Sequence, residues 1–532
     1  VALRNSQYFA TLKAFLFDLS IRLEAALNNL TIATRCGNNA VERGILGLED
    51  SSLFSICCLL NKALFGQNIF LVGSSMKTQN PTALIRFLKR LKYIHCLWGM
   101  ILCVIITGAR MQAYGAIEWS SNVAPYDPRT WTLNDYASIP YSGSSGYVTV
   151  NNGSQLFSYA ADIGEAAGST GTVTVTGKGS KWTCKEGFYM GFSGNGVLNI
   201  EAGGEVSNIE DGAYMGWSSQ STATVHVTGE GSSWTPHALH ISMNGKATIT
   251  IDAGGNVTTP YAYLGENGIN SGTVTVSGAG SKFVSDYARV GDYGSTGILN
   301  IGTGKASGGL VAIKSIACAI NQSTSKAIFN LNGGTLQMGT MQKYSGSVDF
   351  NWSDGTIQNY DTATNLTISG TNNLILKLAA TGTHAFNLDA GRTGTISAVL
   401  SDATSGGTLT KTGLGILTLT ATNTYSGDTY LEAGTLSISN RYLNDWASVH
   451  IASGAKFDLN YSGIDTVNSL YLDGLPMVSG TWGSSLSNAT HIDNLHFSGT
   501  GKLNVTNVPE PSTMALLLTA TLGGLLWWRR RR

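Results

Sequence analysis

One phrase returns three times along the 532-residue chain, and it limits the fold more than anything else in the sequence. It reads GTVTVTGKGSKWT from Gly171, ATVHVTGEGSSWT from Ala223 and GTVTVSGAGSKFV from Gly272. A second phrase falls between the copies: GVLNIEAGGEV from Gly196, ATITIDAGGNV from Ala247 and GILNIGTGKAS from Gly297. The two alternate about every 25 residues, so like copies recur about every 50. A third, shorter phrase follows each: YMGFS at Tyr189, YMGWS at Tyr214, YLGEN at Tyr263 and RVGDY at Arg289. Divergent copies begin at Gly146 and near Ala327.

Within each phrase apolar and polar residues alternate with period two, the pattern of a strand with one buried face. Val173/Val175, Val225/Val227, Ile249/Ile251 and Val274/Val276 are expected to point inward. The following Gly-Gly or Gly-x-Gly breaks the strand at a corner. A unit of about 25 residues cannot bury its own apolar face, but a stack of such units can. The reading is therefore an all-β chain wound as a right-handed parallel β-helix, or β-solenoid. A β-propeller also repeats at about 40–50 residues, but the similarity at half that period favours the solenoid. Trp182, Trp234 and Phe283 recur in register and are expected to stack as a column. Core or corner packing is the plain role for that column, and sugar stacking is the alternative.

Composition agrees. Only 12% of residues are charged and 65 are glycine, a mixture suited to short strands and tight turns. The net charge of zero is unevenly spread: residues 1–115 carry 12 Lys/Arg against 5 Asp/Glu, and residues 116–528 carry 17 against 28. An acidic body excludes a nucleic-acid-binding role. Five of the seven cysteines precede residue 116, and Cys184 and Cys318 are too far apart in sequence to form a disulfide framework. Two isolated thiols are the expectation, with a single bridge left open.

The front end reads as a targeting segment. Arg86, Lys89, Arg90 and Lys92 precede an apolar run from Cys96 to Thr107, and Ala113, Gly115 and Ala116 form a cleavage region. Residues 76–115 are thus expected to be a signal peptide for the Sec translocon. Translation is expected to start at Met76, with residues 1–75 a spurious upstream extension. The rival reading makes 1–75 a helical domain; Lys62 argues against a spanning helix there.

Resemblances sharpen this outline. The alternating phrases resemble the repeat shared by type V secretion passengers and PEP-CTERM proteins, over roughly residues 145–323. Lys411 to Ser439 resembles the autotransporter-associated β-strand repeat through Lys411, Gly413, Gly415, Leu417, Asn423-Thr424-Tyr425, Gly427 and Ala433-Gly434-Thr435-Leu436. Both imply a passenger-like β-helix. The end of the chain, VPEPST then Met514–Trp528 then four arginines, resembles the PEP-CTERM sorting signal. Pro509 and Pro511 keep Glu510 extended and open to a protease. Fifteen apolar residues as helix reach about 22 Å, short of a roughly 30 Å hydrocarbon core, so the anchor is weak. Arg529, Arg530, Arg531 and Arg532 hold its end in the cytoplasm. The resemblance implies cutting by an exosortase-type enzyme, a Gram-negative envelope and a transient inner-membrane anchor before release to the surface.

The resulting organisation is 1–75 extension, 76–115 signal peptide, 116–144 cap, 145–340 solenoid repeats, 341–505 a second solenoid region containing 411–439, and 508–532 the sorting signal with its short transmembrane helix. No catalytic or cofactor motif is found. His226, His237 and His240 come nearest to metal spacing without a recognised pattern, so neither a metal nor a cofactor is expected. Three functions follow: an exported structural protein of the surface or polysaccharide matrix with an adhesion or biofilm-like role, a β-helical polysaccharide lyase or hydrolase, and a glycan-binding module. The first is preferred, and no enzyme activity is expected.

Overall fold

The structure, a computed structural model, describes residues 116–142, 144–304 and 308–507. The alternating phrases form parallel strands, and each pairs with its neighbour about one repeat on. Thr170–Thr176 lies between Ser145–Val150 and Asn195–Glu201, with Gly171 opposite both Gly146 and Gly196. The two phrases are thus successive coils of one helix, and the period of about 50 residues is a pair of coils. The chain makes a β-solenoid of about 13 coils.

Each early coil has three short strands, and like strands stack into three faces. The first face holds the long strands just named. The second holds Gln155–Ser158, Lys181–Cys184, Glu205–Asn208 and Ser233–Thr235. The third holds Ala160–Ile163, Phe188–Met190, Ala213–Met215 and Ala238–Ile241. Further on, single strands turn the corners, as in Asn256–Leu264, Lys282–Val290 and Lys326–Lys343. The third face runs without a break from Tyr136–Ile139 through Lys326–Lys343 to Lys456–Leu459 and Phe497–Gly499.

Inward residues build the core. Val173, Val175, Val225, Val227, Ile249, Ile251, Val274 and Val276 are all fully buried. On the second face the register places Leu156, Trp182, Val206, Trp234, Val257, Phe283 and Val311 above one another. The expected aromatic column is therefore interrupted: a valine separates each ring from the next. Alternating large and small side chains fill the interior at high density, which accounts for the doubled period. The indole nitrogens are used inside as well. Trp182 Nε1 donates to Ser158 Oγ at 3.1 Å and Trp234 Nε1 to Asn208 Oδ1 at 3.3 Å.

The corner motif Gly-x-Gly-Ser has its own logic. Ser180, Ser232 and Ser281 are buried, and each Oγ accepts the N–H of a glycine one coil earlier, Gly153, Gly203 and Gly254, at 2.9 to 3.0 Å. A Cβ on Gly204 or Gly255 would lie 2.2 Å from the carbonyl oxygen of Val175 or Val227. Those corners accept no side chain. Both sheet ends are covered. Ile117–Trp119 pairs antiparallel with Ser145–Val150 at the start. At the far end Ser469–Leu472 folds back on Leu475–Pro476, beside a small sheet that includes Lys502–Val505. Covering the edges removes open templates for chain-to-chain pairing. Cys184 and Cys318 are separate, buried, free thiols.

One inward position breaks the apolar rule. Lys411 sits between Phe386 and Leu431 in the second-face ladder and is 0% exposed. Its Nζ donates to the carbonyls of Thr412 at 2.6 Å and Gly413 at 2.8 Å, and to Ala433 of the next coil at 3.2 Å. All three ammonium hydrogens have an acceptor. Burial pulls the group down to about 8, while the three carbonyls favour the charged form. Below that pH, folded and unfolded chains both carry the proton and the burial penalty acts in full. Between about 8 and the unfolded value near 10.4 the unfolded chain binds more protons, so stability rises with pH. The buried thiols act in the opposite direction above about 8.5, but they are common to a lysine variant. Denaturant titrations from pH 7 to 10 should therefore show wild type gaining up to about 3 kcal/mol relative to Lys411→Met. Parallel pH profiles for the two proteins would contradict this account of Lys411.

Candidate functional site

The third phrase supplies the most organised part of the outer surface. In Phe188–Met190 and Ala213–Met215 the flanking residues are buried and the central tyrosine points outward. The register then places Asp162, Tyr189, Tyr214, His240, Tyr263 and Arg289 in one row across six coils. Ring centroids step along it by 5.2 Å from Tyr189 to Tyr214, 4.6 Å to His240 and 4.8 Å to Tyr263, with interplanar angles of 13°, 17° and 23°. The Arg289 guanidinium lies 5.6 Å over Tyr263. Beside this row Phe192 and Trp217 stack at 5.7 Å and meet Tyr189 and Tyr214 edge-on.

Carboxylates brace the row. Glu266 is 2.6 Å from His240 Nδ1, Asp211 accepts from the Tyr214 hydroxyl at 2.9 Å, and Asp292 holds Arg289 at 3.1 Å. Burial raises the tyrosines above their usual range, and at Tyr214 the Asp211 carboxylate adds to it. At the N-terminal end Asp162 is buried, its Oδ1 has no hydrogen-bond partner, and burial pushes it up to about 6. Glu165 next to it accepts from Ser138 Oγ. A second row, Tyr430, His450 and Tyr471, lies on the second face, with steps of 4.5 and 4.4 Å and Asp428 against His450 at 3.9 Å. Burial lowers His450, and Asp428 opposes the shift.

Chemically, these rows are braces. Sugar binding by an aromatic ring uses its open face, and here the faces lie on one another. Solvent meets ring edges and hydroxyls.

The expected site residues fall elsewhere. Trp182, Trp234 and Phe283 are 0% exposed. With no open face they are not a sugar platform, because the pleat turns them into the core. His226 and His237 are exposed and His240 is taken up by the stack. Among the described residues no group of three or more His, Cys, Asp or Glu could hold a metal ion. Ala116 is the first described residue, its N–H on Asn151 Oδ1. Ala113 and Gly115, the remainder of the signal peptide, residues 1–75, and Pro509, Glu510, Pro511 and Arg529 to Arg532 lie outside the described residues. The Tyr-Met-Gly phrases carry this row in the sequence, although the direction of their tyrosines is not assigned above. The signal was present: each tyrosine is flanked by apolar residues at a spacing of two.

The model of the PEP-CTERM protein-sorting motif matches residues 507–532. The passenger-associated-transport-repeat model matches residues 409–438, a stretch that begins two residues before the buried Lys411. Neither match is to an enzyme family. No match is found among curated proteins or among solved structures. The sorting motif implies an exported protein, held transiently at the membrane and processed by an exosortase, and the repeat fits its passenger-like solenoid. Among the described residues no helix is long and apolar enough to cross a membrane.

If the outer row is a brace, its members are coupled. Tyr214→Ala and His240→Ala should each lower the denaturation midpoint, by the equivalent of about 1–3 kcal/mol. A double-mutant cycle should return a coupling of about 0.5–1.5 kcal/mol. A coupling near zero would mean that the stack contributes nothing to stability.

Proposed function

We propose that this chain is a structural protein of the cell surface or extracellular polysaccharide matrix, with an adhesion or biofilm-like role. The observation that carries the proposal is a junction. The last described strand, Lys502–Val505, completes the terminal sheet, and the matched sorting motif begins at residue 507. The cutting motif around Pro509, Glu510 and Pro511 thus follows immediately after a finished fold. Cleavage there frees the body and costs it no strand. In this reading the Sec translocon takes the chain through residues 76–115. The short apolar tail then holds it in the inner membrane while Arg529 to Arg532 stay in the cytoplasm, and an exosortase-type enzyme releases it.

The arrangement of the outer carboxylates supports a structural body over a lyase or hydrolase. Asp211, Glu266, Asp292 and Asp428 are engaged with the side chains of the aromatic rows. A glycosidase needs two carboxyl groups free to face one bond.

In a host with the processing enzyme, mass spectrometry should find the mature N-terminus near Ala116 and the C-terminus within 508–513, on protein from the surface or medium. A Pro509→Ala, Pro511→Ala variant, and one with Arg529–Arg532 replaced by serine, should accumulate uncut in the membrane fraction. Surface protein that keeps its arginines, or variants released as efficiently as wild type, would overturn the proposal.

A further inference from the structure

Trp446 differs from every aromatic residue in the two outer rows. It is 86% exposed, and no described ring or cation stacks on it. Large exposed indoles are uncommon on soluble surfaces and concentrate where proteins bind partners. This one projects from the segment Asn444-Asp445-Trp446 at a shallow, open surface depression, which Thr424, Tyr442, Asn444 and Asp445 help to line.

The segment is held in place from below. Asp465, buried in the core, accepts the backbone N–H groups of Tyr442 at 3.0 Å and Leu443 at 3.1 Å through Oδ2. Tyr442 packs edge-on against Tyr425, with centroids 6.0 Å apart. Asn444 Oδ1 accepts the Trp446 N–H at 2.9 Å, and its carbonyl accepts the Ala447 N–H at 2.9 Å. The backbone that carries the indole is therefore fixed, and the side chain stands out from it into solvent. Polar groups beside it are free. The Asn444 amide nitrogen and the Asp445 carboxylate have no side-chain partner among the described residues.

An open indole face flanked by a carboxylate, an amide NH2 and a hydroxyl matches one ligand chemistry well. The C–H face of a pyranose lies on the ring, and its hydroxyls donate to Asp445 and accept from Asn444. A protein partner would bury about 800 Å² per side around an apolar centre, whereas this indole is ringed by polar groups. The uncompensated Asp445 charge rejects anionic sugars. We infer that the Trp446 surface is a binding subsite for a neutral pyranose unit of a polysaccharide. The inference rests on the matrix reading above and assigns it a contact point.

The test uses the processed protein, titrated by calorimetry with cellohexaose, maltohexaose, chitohexaose and polygalacturonate. At least one neutral hexasaccharide should bind and polygalacturonate should not. Trp446→Ala should weaken that binding about tenfold or more, Trp446→Tyr should restore part of it, and Tyr214→Ala should leave it unchanged. Because Trp446 is exposed, its variants should keep the wild-type melting temperature. Wild-type binding that survives Trp446→Ala would refute this subsite while leaving a matrix role intact. Failure of all three neutral sugars to bind would also refute it, and the localisation experiment would then judge the matrix role separately. Sedimentation showing that Trp446→Ala dissociates a self-associated form, without sugar binding, would assign the indole to a protein contact and overturn the inference.

Discussion

Everything in this molecule depends on parallel stacking of equivalent residues. In a parallel ladder each residue lies on its counterpart about 4.8 Å away, so whatever one coil places at a position, the next must tolerate. Inside, the rule produces alternation: Trp182, Val206, Trp234, Val257 and Phe283 share one column, and valines make room for rings. Outside, it produces rows of like chemistry. Tyrosine and histidine rings stack, and on the first face Asn351 donates to Asn330, Asn330 to Asn300 and Asn300 to Thr275. At the corners it brings backbones so close that glycine is required.

The same constraint divides the labour among aromatic residues. Rings on inward positions fill the core. Where rings follow one another on outward strand positions they are within stacking reach and spend their faces on one another, as Tyr189, Tyr214, His240 and Tyr263 do. Trp446 lies on a loop, off the ladder, with no described ring stacked on it, and is 86% exposed. Lys411 is the complementary exception: a charge on an inward position, tolerable because three backbone carbonyls enclose its ammonium. Its acceptor on Ala433 belongs to the next coil, so two successive coils within the matched stretch 409–438 are tied by a buried hydrogen bond as well as by the sheet.

Much of this was legible in the sequence, for a physical reason. Period-two alternation and Gly-rich corners are local, and they identified the inward valines and isoleucines from Val173 to Val276 residue by residue. What was not legible depends on how coils are aligned. The unit of about 25 residues is legible, but which residues of successive coils face one another is set by the register, and the register places Val206 and Val257 between Trp182, Trp234 and Phe283. The serine of Gly-x-Gly-Ser bonds a glycine one coil away, a partner that only the alignment of coils supplies. The outward direction of the tyrosines is readable from their apolar flanks, but their stacking into one row depends on the register, and the open indole of Trp446 is visible only on the folded surface. No local pattern separates a ring that stacks from one that is displayed.

The central claim is that a single ladder carries through the two repeat regions distinguishable in the sequence, with Lys326–Lys343 and Ser347–Asn359 as the join. Native-state hydrogen exchange read by mass spectrometry tests it most directly. If the stack is continuous, amides in residues 326–359 exchange as slowly as those in Thr170–Thr176 and Asn195–Glu201, since each is bonded to coils on both sides. Fast exchange across 326–359, flanked by two protected blocks, would mean two separate solenoids and would contradict the account.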